Sequence, residues 1–277
     1  MPTQTEKAEV FAALHARDGA FAIPNPWDVG SACLFAGMGF EALATTSSGF
    51  AATLGRGDYG VTRGEAMEHC RALAASVDIP VSADLETCFA SSPEEVAETI
   101  SMAIGTGLAG GSIEDFSGNR DDPILPLDEA VERVKAAVSA IKAQPVPFVL
   151  TARAENLLHG RKDMDDTIAR LQAFEAAGAD VLYAPGLRSL DDIKAVTSAV
   201  SKPVNVLGIL VREASVADMA AAGAKRISVG GAIARAAMGE AMRCAQELLG
   251  TGTHTFMGRV PRGELDTFIA KGAAGDT

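Results

Sequence analysis

The sequence predicts an α/β fold of the (β/α)8 type, in which parallel strands close into a barrel and helices surround it. Short apolar runs of strand length recur along the chain, and stretches with helical periodicity separate them. Strands that alternate with helices form parallel sheets, and eight such units usually close into a barrel. The length of 277 residues suits one barrel, which usually needs about 250.

Eight runs are predicted to be strands, because they are short, rich in aliphatic residues and followed by polar residues or glycine. Several begin at or just after a proline, where a missing N–H group is tolerated. In chain order they are Phe21–Pro24, Glu41–Ser47, Val81–Glu86, Gly111–Asp115, Phe148–Arg153, Asp180–Ala184, Val204–Leu207 and Arg226–Val229.

Seven stretches are predicted to be helices from their periodicity and their end signals. Ser92 and Pro93 suit an N-cap and a first turn, and Gly178 and Gly223 suit helix C-termini. The predicted helices are Thr62–Ser76, Pro93–Thr106, Leu127–Lys142, Asp166–Ala177, Leu190–Val200, Ala214–Ala222 and Ala232–Leu249.

A single domain is predicted over residues 1–277, because no linker or low-complexity stretch divides the chain. An open doubly wound sheet is the competing architecture. The first strand–helix junction, IPNPWDVGSA, contains no GxGxxG, so a dinucleotide-binding fold has little support. From about residue 253 the chain is predicted to add a helix that packs on the barrel or on a partner subunit.

Composition restricts the partners. The net charge of −12 argues against nucleic acid, whose phosphates require a basic face. No apolar stretch approaches the ~20 residues of a membrane span. Four cysteines without a CxxC pair and a polar N-terminus indicate a reduced, cytoplasmic protein. A small anionic substrate remains compatible with the charge, because a metal or a few focused cations can bind it.

Three carboxylates are predicted to meet at the mouth of the barrel. Asp84 and Glu86 end the third strand two residues apart, so on a regular strand both point to one face, and Glu114 ends the next strand. Converging carboxylates repel one another unless a cation is present, and hard oxygen ligands with room for water suit Mg²⁺, or Mn²⁺ in its place. The alternative is that they are solvated loop acids or helix caps; for three acids together the metal site is favoured.

Other polar side chains follow strand ends on the same side of the barrel. Arg153 ends an otherwise apolar run, and its guanidinium can clamp a carboxylate or phosphonate, unless it forms a salt bridge to Glu155 or Glu114. Asn205 ends the seventh strand and is a candidate substrate contact. His159 follows the fifth strand and is either an acid/base or an exposed loop histidine.

The segment TTSSGF ends the second predicted strand with small hydroxyl residues and a glycine. The backbone N–H groups of Ser48, Gly49 and Phe50 could point at a bound oxygen, as anion nests do. Ser-Gly pairs are also common in plain turns, so this pattern alone is weak.

Six short segments occur in a specific order between about Phe21 and Gly231. They are IPNPWDVGSA, TTSSGFAATLGRGD, SADLE, SIEDFSG, LTARAEN and KPVNVL. Their order and spacing together resemble the isocitrate lyase/phosphoenolpyruvate mutase superfamily. The resemblance implies a barrel whose eighth helix is often swapped between subunits, in a dimer or tetramer, and a small carboxylate substrate with an α-oxo group.

The resemblance also implies a metal site and its ligands. Mg²⁺ would be held mainly by Asp84, with Glu86 and Glu114 acting through bound waters. Asp58, in GRGD, matches an acid near the metal.

Substrate contacts follow from the same resemblance. Ser48, Gly49 and Phe50 match the positions that hold the substrate's carboxylate and oxo group. Arg153 matches the arginine that binds the substrate.

The segment after Glu114 departs from both catalytic branches of the superfamily. The lyase branch carries Lys-(Lys/Arg)-Cys-Gly-His there, whereas IEDFSGNRDDPILPLDE has neither Cys nor His. The mutase branch carries Glu-Asp-Lys and a later Asn-Ser, whereas here Phe116 replaces the Lys and Arg120 follows Asn119.

The expected reaction is cleavage beside an α-oxo or α-hydroxy carboxylate through an enolate. A C–C lyase or an oxaloacetate-type decarboxylase fits best, because decarboxylation needs only an electron sink and a proton donor. Arg153, Asp58 and His159 are the candidate catalytic residues. The alternatives are P–C chemistry, as in phosphonopyruvate hydrolase or phosphoenolpyruvate mutase, and a barrel that binds an oxo acid without catalysis.

Overall fold

Eight parallel strands form one curled sheet in the computed structural model, which describes residues 1–261 and 263–275, so the predicted barrel is confirmed. The strands are Phe21–Ile23 (β1), Leu43–Ala44 (β2), Val81–Asp84 (β3), Gly110–Glu114 (β4), Val149–Arg153 (β5), Val181–Tyr183 (β6), Val204–Leu207 (β7) and Arg226–Ser228 (β8). Consecutive strands from β2 to β8 pair with one another, and β8 pairs with β1.

The seam between β1 and β2 is closed without a regular ladder. The Ala44 N–H donates to the Pro24 carbonyl at 3.1 Å, and the Asn25 side chain donates to the Ala44 carbonyl at 2.9 Å. The barrel is therefore nearly continuous, and the carboxyl ends of all its strands open on one side.

The helices agree with the prediction where periodicity was strong. They are Gln4–Ala16 (α1), Val29–Gly37 (α2), Ser47–Thr53 (α3), Arg63–Ser76 (α4), Pro93–Ile104 (α5), Leu127–Lys142 (α6), Met164–Ala177 (α7), Leu190–Ala199 (α8), Val216–Ala221 (α9), Ala232–Gly250 (α10) and Glu264–Gly272 (α11). The seven predicted helices correspond to α4–α10, with ends within two residues of those expected. No helix in the described ranges is long and apolar enough to cross a membrane.

The N-terminal helix α1 covers the amino ends of the strands. Its Phe11 is fully buried and packs with Phe21, Val149 and Val181, which stand at or near the starts of their strands. A capping box of Thr3 and Glu6 starts the helix. This end of the barrel is closed, so a ligand can enter only from the carboxyl ends.

The second strand is shorter than predicted, and this changes the segment that follows it. The strand was expected over Glu41–Ser47, but it ends at Ala44, and α3 begins at Ser47. The Thr46 side chain caps α3 by accepting from the Gly49 N–H. Ser48, Gly49 and Phe50 therefore lie in the first turn of a helix rather than in a loop.

The helix α11 near the C-terminus packs on α2 of the same chain. Contact is close because glycines face each other: a side chain on Gly37 would overlap the Phe268 carbonyl, and one on Gly272 would overlap the Cys33 carbonyl. Neither position can accept a Cβ atom without moving a backbone.

We expect Gly37→Ala to destabilise the protein by about 1–3 kcal/mol, because overpacking a tight contact forces backbone shifts. Gly64→Ala is the matched control, since its new Cβ would meet no atom within 4 Å and removing a helical glycine stabilises by about 0.5–1 kcal/mol. Thermal unfolding of both variants measures the difference. Equal melting temperatures for the two would contradict the α2–α11 packing.

Candidate active site

The carboxyl ends of the strands surround a cavity of about 200 Å³. Residues from nearly every strand line it, and most of them are polar. The lining includes Thr45, Ser47, Ser48, Asp58, Tyr59, Ser82, Asp84, Ser112, Glu114, Arg153, Tyr183, Asn205, Arg226 and Ser228. Barrel enzymes place their chemistry at this end, so this cavity is the candidate active site.

Arg153, at the end of β5, is bound by three carboxylates. Its guanidinium lies 2.7 Å from Asp84, 3.0 Å from Glu114 and 2.8 Å from Glu155. It also lies over the Tyr183 ring, 5.3 Å from the ring centroid. Both salt bridges that the sequence left as alternatives to substrate binding are therefore formed in this conformation.

The cluster holds more negative than positive charge. Burial by itself would lower the pKa of Arg153, but Glu155, Glu114 and Asp84 raise it well above its ordinary value, so the guanidinium stays charged. Burial raises the pKa of Glu114 well above its usual range and that of Glu155 to about 7, against the opposing effect of Arg153. One cation therefore does not suffice to keep these carboxylates ionised together.

Glu86 does not share a strand face with Asp84, contrary to the prediction. The strand β3 ends at Asp84, and Glu86 has a left-handed backbone with φ of 51°, so strand alternation no longer applies. The Glu86 N–H donates to the Asp84 carboxylate at 3.4 Å. The Glu86 side chain lies in a small adjacent cavity that also contacts Asp84, and its Oε1 is buried without a hydrogen-bond partner.

This arrangement fits a hard divalent cation. Burial, followed by the charges of Asp84 and Asp58, raises the pKa of Glu86 to about 8, which marks a site short of positive charge. In the described part of the chain, no three His, Cys, Asp or Glu side chains are grouped closely enough to hold an ion directly. Mg²⁺ usually keeps several waters and takes one or two carboxylates, so few direct ligands are needed.

The first turn of α3 supplies polar groups to the same edge of the cavity. The Ser47 hydroxyl donates to Asp84 at 2.9 Å, which positions that carboxylate. The Gly49 N–H donates to the Thr46 hydroxyl and the Phe50 N–H to the Thr46 carbonyl, so both are engaged within the helix. Ser48 keeps its N–H free among the described residues, and it lines the cavity.

Phe50 faces away from the site. Its ring stacks on His69 at 3.8 Å and lies beside the smaller cavity that holds Glu86. In this conformation neither its ring nor its N–H reaches the main cavity, in contrast to the expected substrate contact.

Three aromatic side chains cover the carboxylate cluster. The Tyr59 hydroxyl donates to Glu114 at 2.8 Å, and its ring lies 4.9 Å from Phe116, which stacks on His159 at 4.4 Å. His159 Nε2 is 3.8 Å from Glu155, too far for a hydrogen bond, and burial lowers the pKa of His159, so the two do not form an ion pair. Tyr59 was not singled out from the sequence; its position next to Asp58 was the available signal.

Asn205 lies deeper than the other predicted substrate contacts. Its Nδ2 donates to Ser228 at 3.0 Å, and its Oδ1 accepts from Arg226 at 2.8 Å. Arg226 also lines the cavity, and sequence reasoning missed it because it begins a strand rather than ending one.

Comparison with known proteins agrees with the fold. Residues 11–249 match the family model described as phosphoenolpyruvate phosphomutase. The structure superimposes on that of a Burkholderia cenocepacia protein described as a candidate lyase/mutase, with a TM-score of 0.93, 53% identity and 96% of each chain covered.

Two curated relatives are more distant. The chain is 31% identical over 223 residues to an uncharacterized protein of Mycobacterium tuberculosis, covering 79% of this chain and 81% of that one. It is 29% identical over 204 residues to 2-methylisocitrate lyase of Escherichia coli, covering 71% of this chain and 68% of the enzyme.

The raised pKa of Glu86 predicts a pH-dependent stability of the metal-free protein. Because the pKa rises from 4.5 to about 8, folding holds a proton that the unfolded chain releases, and stability falls as pH increases through this range. Glu86→Gln removes this dependence, so the variant should gain stability over the wild type between pH 5 and pH 8. Denaturant unfolding in excess chelator measures both proteins.

The control is Glu65→Gln, because Arg56 lowers the pKa of Glu65 to about 2. The contribution of Glu65 to the free energy of unfolding is lost only as pH falls through the acid range. The Glu65→Gln substitution should therefore leave the dependence of stability on pH unchanged between pH 5 and pH 8. A Glu86→Gln profile parallel to that of the wild type would show that Glu86 is ordinarily ionised.

Proposed function

Because the chain belongs to the phosphoenolpyruvate mutase/isocitrate lyase superfamily, we propose that it is a Mg²⁺-dependent lyase or decarboxylase. Its substrate is a small α-oxo or α-hydroxy di- or tricarboxylate, which reacts through an enolate. The observation that carries this proposal is the surplus of buried carboxylates around Arg153 in a cavity of metabolite size.

Asp84, Glu86 and Glu114 are proposed to hold the ion, Asp84 directly and the other two through water. Mg²⁺, or Mn²⁺ in its place, supplies a Lewis acid that stabilises negative charge on a substrate oxygen. Ser47 orients Asp84 through its hydroxyl, and Tyr59 orients Glu114. These contacts hold the two carboxylates in fixed positions and so preorganise the site.

Substrate binding is assigned to the α3 turn and to Arg153. The free N–H of Ser48 lies at the positive end of α3 and can donate to a substrate carboxylate. Gly49 stands against the Trp27 and Ala234 side chains, so it allows the turn to pack closely. Arg153 pairs with Asp84, Glu114 and Glu155, and a cation held by Asp84 would weaken the first of these pairs and leave the guanidinium able to pair with the substrate.

Proton return to the enolate requires a donor that lines the cavity. C–C cleavage leaves an electron pair on the enolate carbon, and one proton at that carbon completes the product. Asp58 lines the cavity, and burial together with Asp84 raises its pKa, so it can hold this proton. His159 does not line the cavity and stacks behind Phe116, so we place it as a secondary donor.

C–C chemistry is preferred over P–C chemistry because of Phe116. It is buried between Tyr59 and His159, at the position where the mutase branch carries a Lys. Phe116 itself therefore supplies no cation to the cluster, and Asp121 and Asp122 follow nearby, although Arg120 stands between them and Phe116 and its charge reaches His159. Phosphonopyruvate hydrolysis or mutase activity is the second candidate, favoured by Arg153, whose guanidinium could hold a phosphonyl group. A barrel that binds without catalysis is the third.

Self-association is proposed from the surface of α10. This helix exposes Met238, Met242, Leu248 and Leu249 along most of its length, which is unusual for a helix that follows a barrel strand. A dimer or tetramer that covers this face, with α10 exchanged between subunits, accounts for the exposure.

We expect turnover to require Mg²⁺ or Mn²⁺ and to depend on Asp84. Asp84→Asn should lower kcat/KM by about a thousandfold, because metal polarisation contributes several kcal/mol to the barrier. Initial rates with added Mg²⁺ or excess chelator, and circular dichroism to verify folding, measure this. Cys88→Ala is the control: this buried thiol has a pKa raised by burial, and its loss should leave most of the turnover. Full activity in chelator would refute the metal site.

We expect oxaloacetate or a substituted malate to release an oxo acid faster than phosphonopyruvate releases phosphate. The C–C substrate needs no cation from the Phe116 segment. Values of kcat/KM on one preparation with saturating Mg²⁺ provide the comparison. If phosphonopyruvate is preferred by about tenfold or more, equal to 1.4 kcal/mol, the choice of branch is wrong.

A further inference from the structure

Arg226 places a positive charge at the floor of the cavity. It begins β8, is 5% exposed, and lines the same cavity as Asp84 and Arg153. Its Nη2 donates to the Thr151 hydroxyl at 3.1 Å. Thr151 precedes Arg153 by two residues on β5, so Arg226 lies roughly 7 Å deeper in the barrel.

Every hydrogen-bond partner of this guanidinium is neutral. Besides Thr151, Nε donates to the side-chain oxygen Oδ1 of Asn205 at 2.8 Å, and Nη1 lies 3.4 Å from His15 Nε2. The other ring nitrogen of His15 lies 2.8 Å from the Phe11 carbonyl, so it carries the hydrogen and Nε2 is an acceptor. Burial, with Arg226 nearby, lowers the pKa of His15 to about 3, so this histidine adds no charge.

Arg226 differs in this respect from the other buried arginines. Arg133 pairs with Glu129 at 3.3 Å, and Arg170 pairs with Asp115 at 3.0 Å, whereas Arg226 forms no ion pair within residues 1–261 and 263–275. Burial lowers the pKa of Arg226 to about 10, and no carboxylate opposes that shift. A buried charge without a counter-ion costs several kcal/mol, and proteins seldom keep one without a use.

The interior of the barrel around Arg226 is polar, whereas the interior of such barrels is normally packed with apolar side chains. Interior layers of such barrels are usually filled by Val, Ile and Leu. Here Ser82, Ser112 and Ser228 line the same cavity as Arg226. These small hydroxyl side chains leave space down to the guanidinium and offer hydrogen bonds along it.

We propose that Arg226 is the floor of an anion subsite that binds a second carboxylate of the substrate, deeper than the group held at Ser48. Each terminal nitrogen of Arg226 retains one N–H without an acceptor among the described residues, and a planar carboxylate can take both. The inference deepens the proposed function, on which it rests: the substrate carries a carboxylate at each end, one at the metal-side mouth and one at the floor. Arg153 then pairs with the substrate carboxylate at the mouth.

Direct binding tests the subsite separately from turnover. Calorimetry with Mg²⁺ present compares succinate, whose carboxylates are separated, with oxalate, whose carboxylates are adjacent and fit at the mouth alone. Arg226→Met should weaken succinate by about tenfold or more, the loss expected for a hydrogen bond to a charged group. The same variant should weaken oxalate by less than about threefold. Phosphonoacetate, tested in parallel, distinguishes a carboxylate subsite from a phosphonyl subsite.

Stability separates this role from a structural one. Arg226→Met removes an uncompensated charge, so its melting temperature should stay or rise. Arg170→Met is the matched control: it leaves Asp115 buried without its cation, so it should lower the melting temperature while succinate affinity is retained. Arg226→Lys keeps the positive charge but lacks the two parallel N–H donors of a guanidinium, so it should recover part of the succinate affinity. This comparison holds even if Arg170→Met fails to fold.

Four results would overturn the subsite. The first is absence of succinate binding to the wild type, and the second is equal succinate binding by Arg226→Met and the wild type. The third is an equal loss of affinity for succinate and oxalate in Arg226→Met with a lowered melting temperature. The fourth is tighter Arg226-dependent binding of phosphonoacetate than of succinate. Arg226-dependent succinate binding without turnover of any oxo acid would instead refute the proposed reaction and leave the subsite standing.

Discussion

The ion cluster around Arg153 is the constraint on which the rest of the site depends. Three carboxylates from the ends of neighbouring strands or just beyond them converge on one guanidinium, and all are largely buried. Burying several like charges is tolerable only with compensation, and one arginine cannot compensate three acids. Burial and this lack of positive charge account for the raised pKa values of both Glu86 and Glu114. A cation at the mouth would compensate the excess negative charge.

Charge is distributed unevenly along the axis of the cavity. Acids dominate the mouth, where Asp58, Asp84 and Glu114 lie, whereas Arg226 stands without an acid at the floor. A small dianion with a cation at one end would match both regions. The amino end of the barrel is covered by α1, and the buried position of Arg226 strengthens its electrostatic interactions.

Strong periodicity made most of the fold predictable, and weak local signals explain the misses. The helices α4–α10 present repeated apolar faces, and their ends carry caps such as Ser92 and Gly178. The helix α1 was missed although it begins with a capping box, because its apolar residues form only a narrow stripe. For the short helix α3 the sequence predicts a strand end and a turn, since Thr and Ser suit both turns and helix N-termini.

The sequence by itself determined the barrel, the family, and the strand ends where Asp84, Glu114 and Arg153 would meet. These follow from patterns along the chain, because parallel strands bring their carboxyl ends to one side. Only the tertiary structure decided that Glu86 turns off the strand, that Phe50 faces His69, and that Arg226 lacks a counter-ion. Those facts depend on which side chains approach from other strands, and no spacing within one segment encodes that approach.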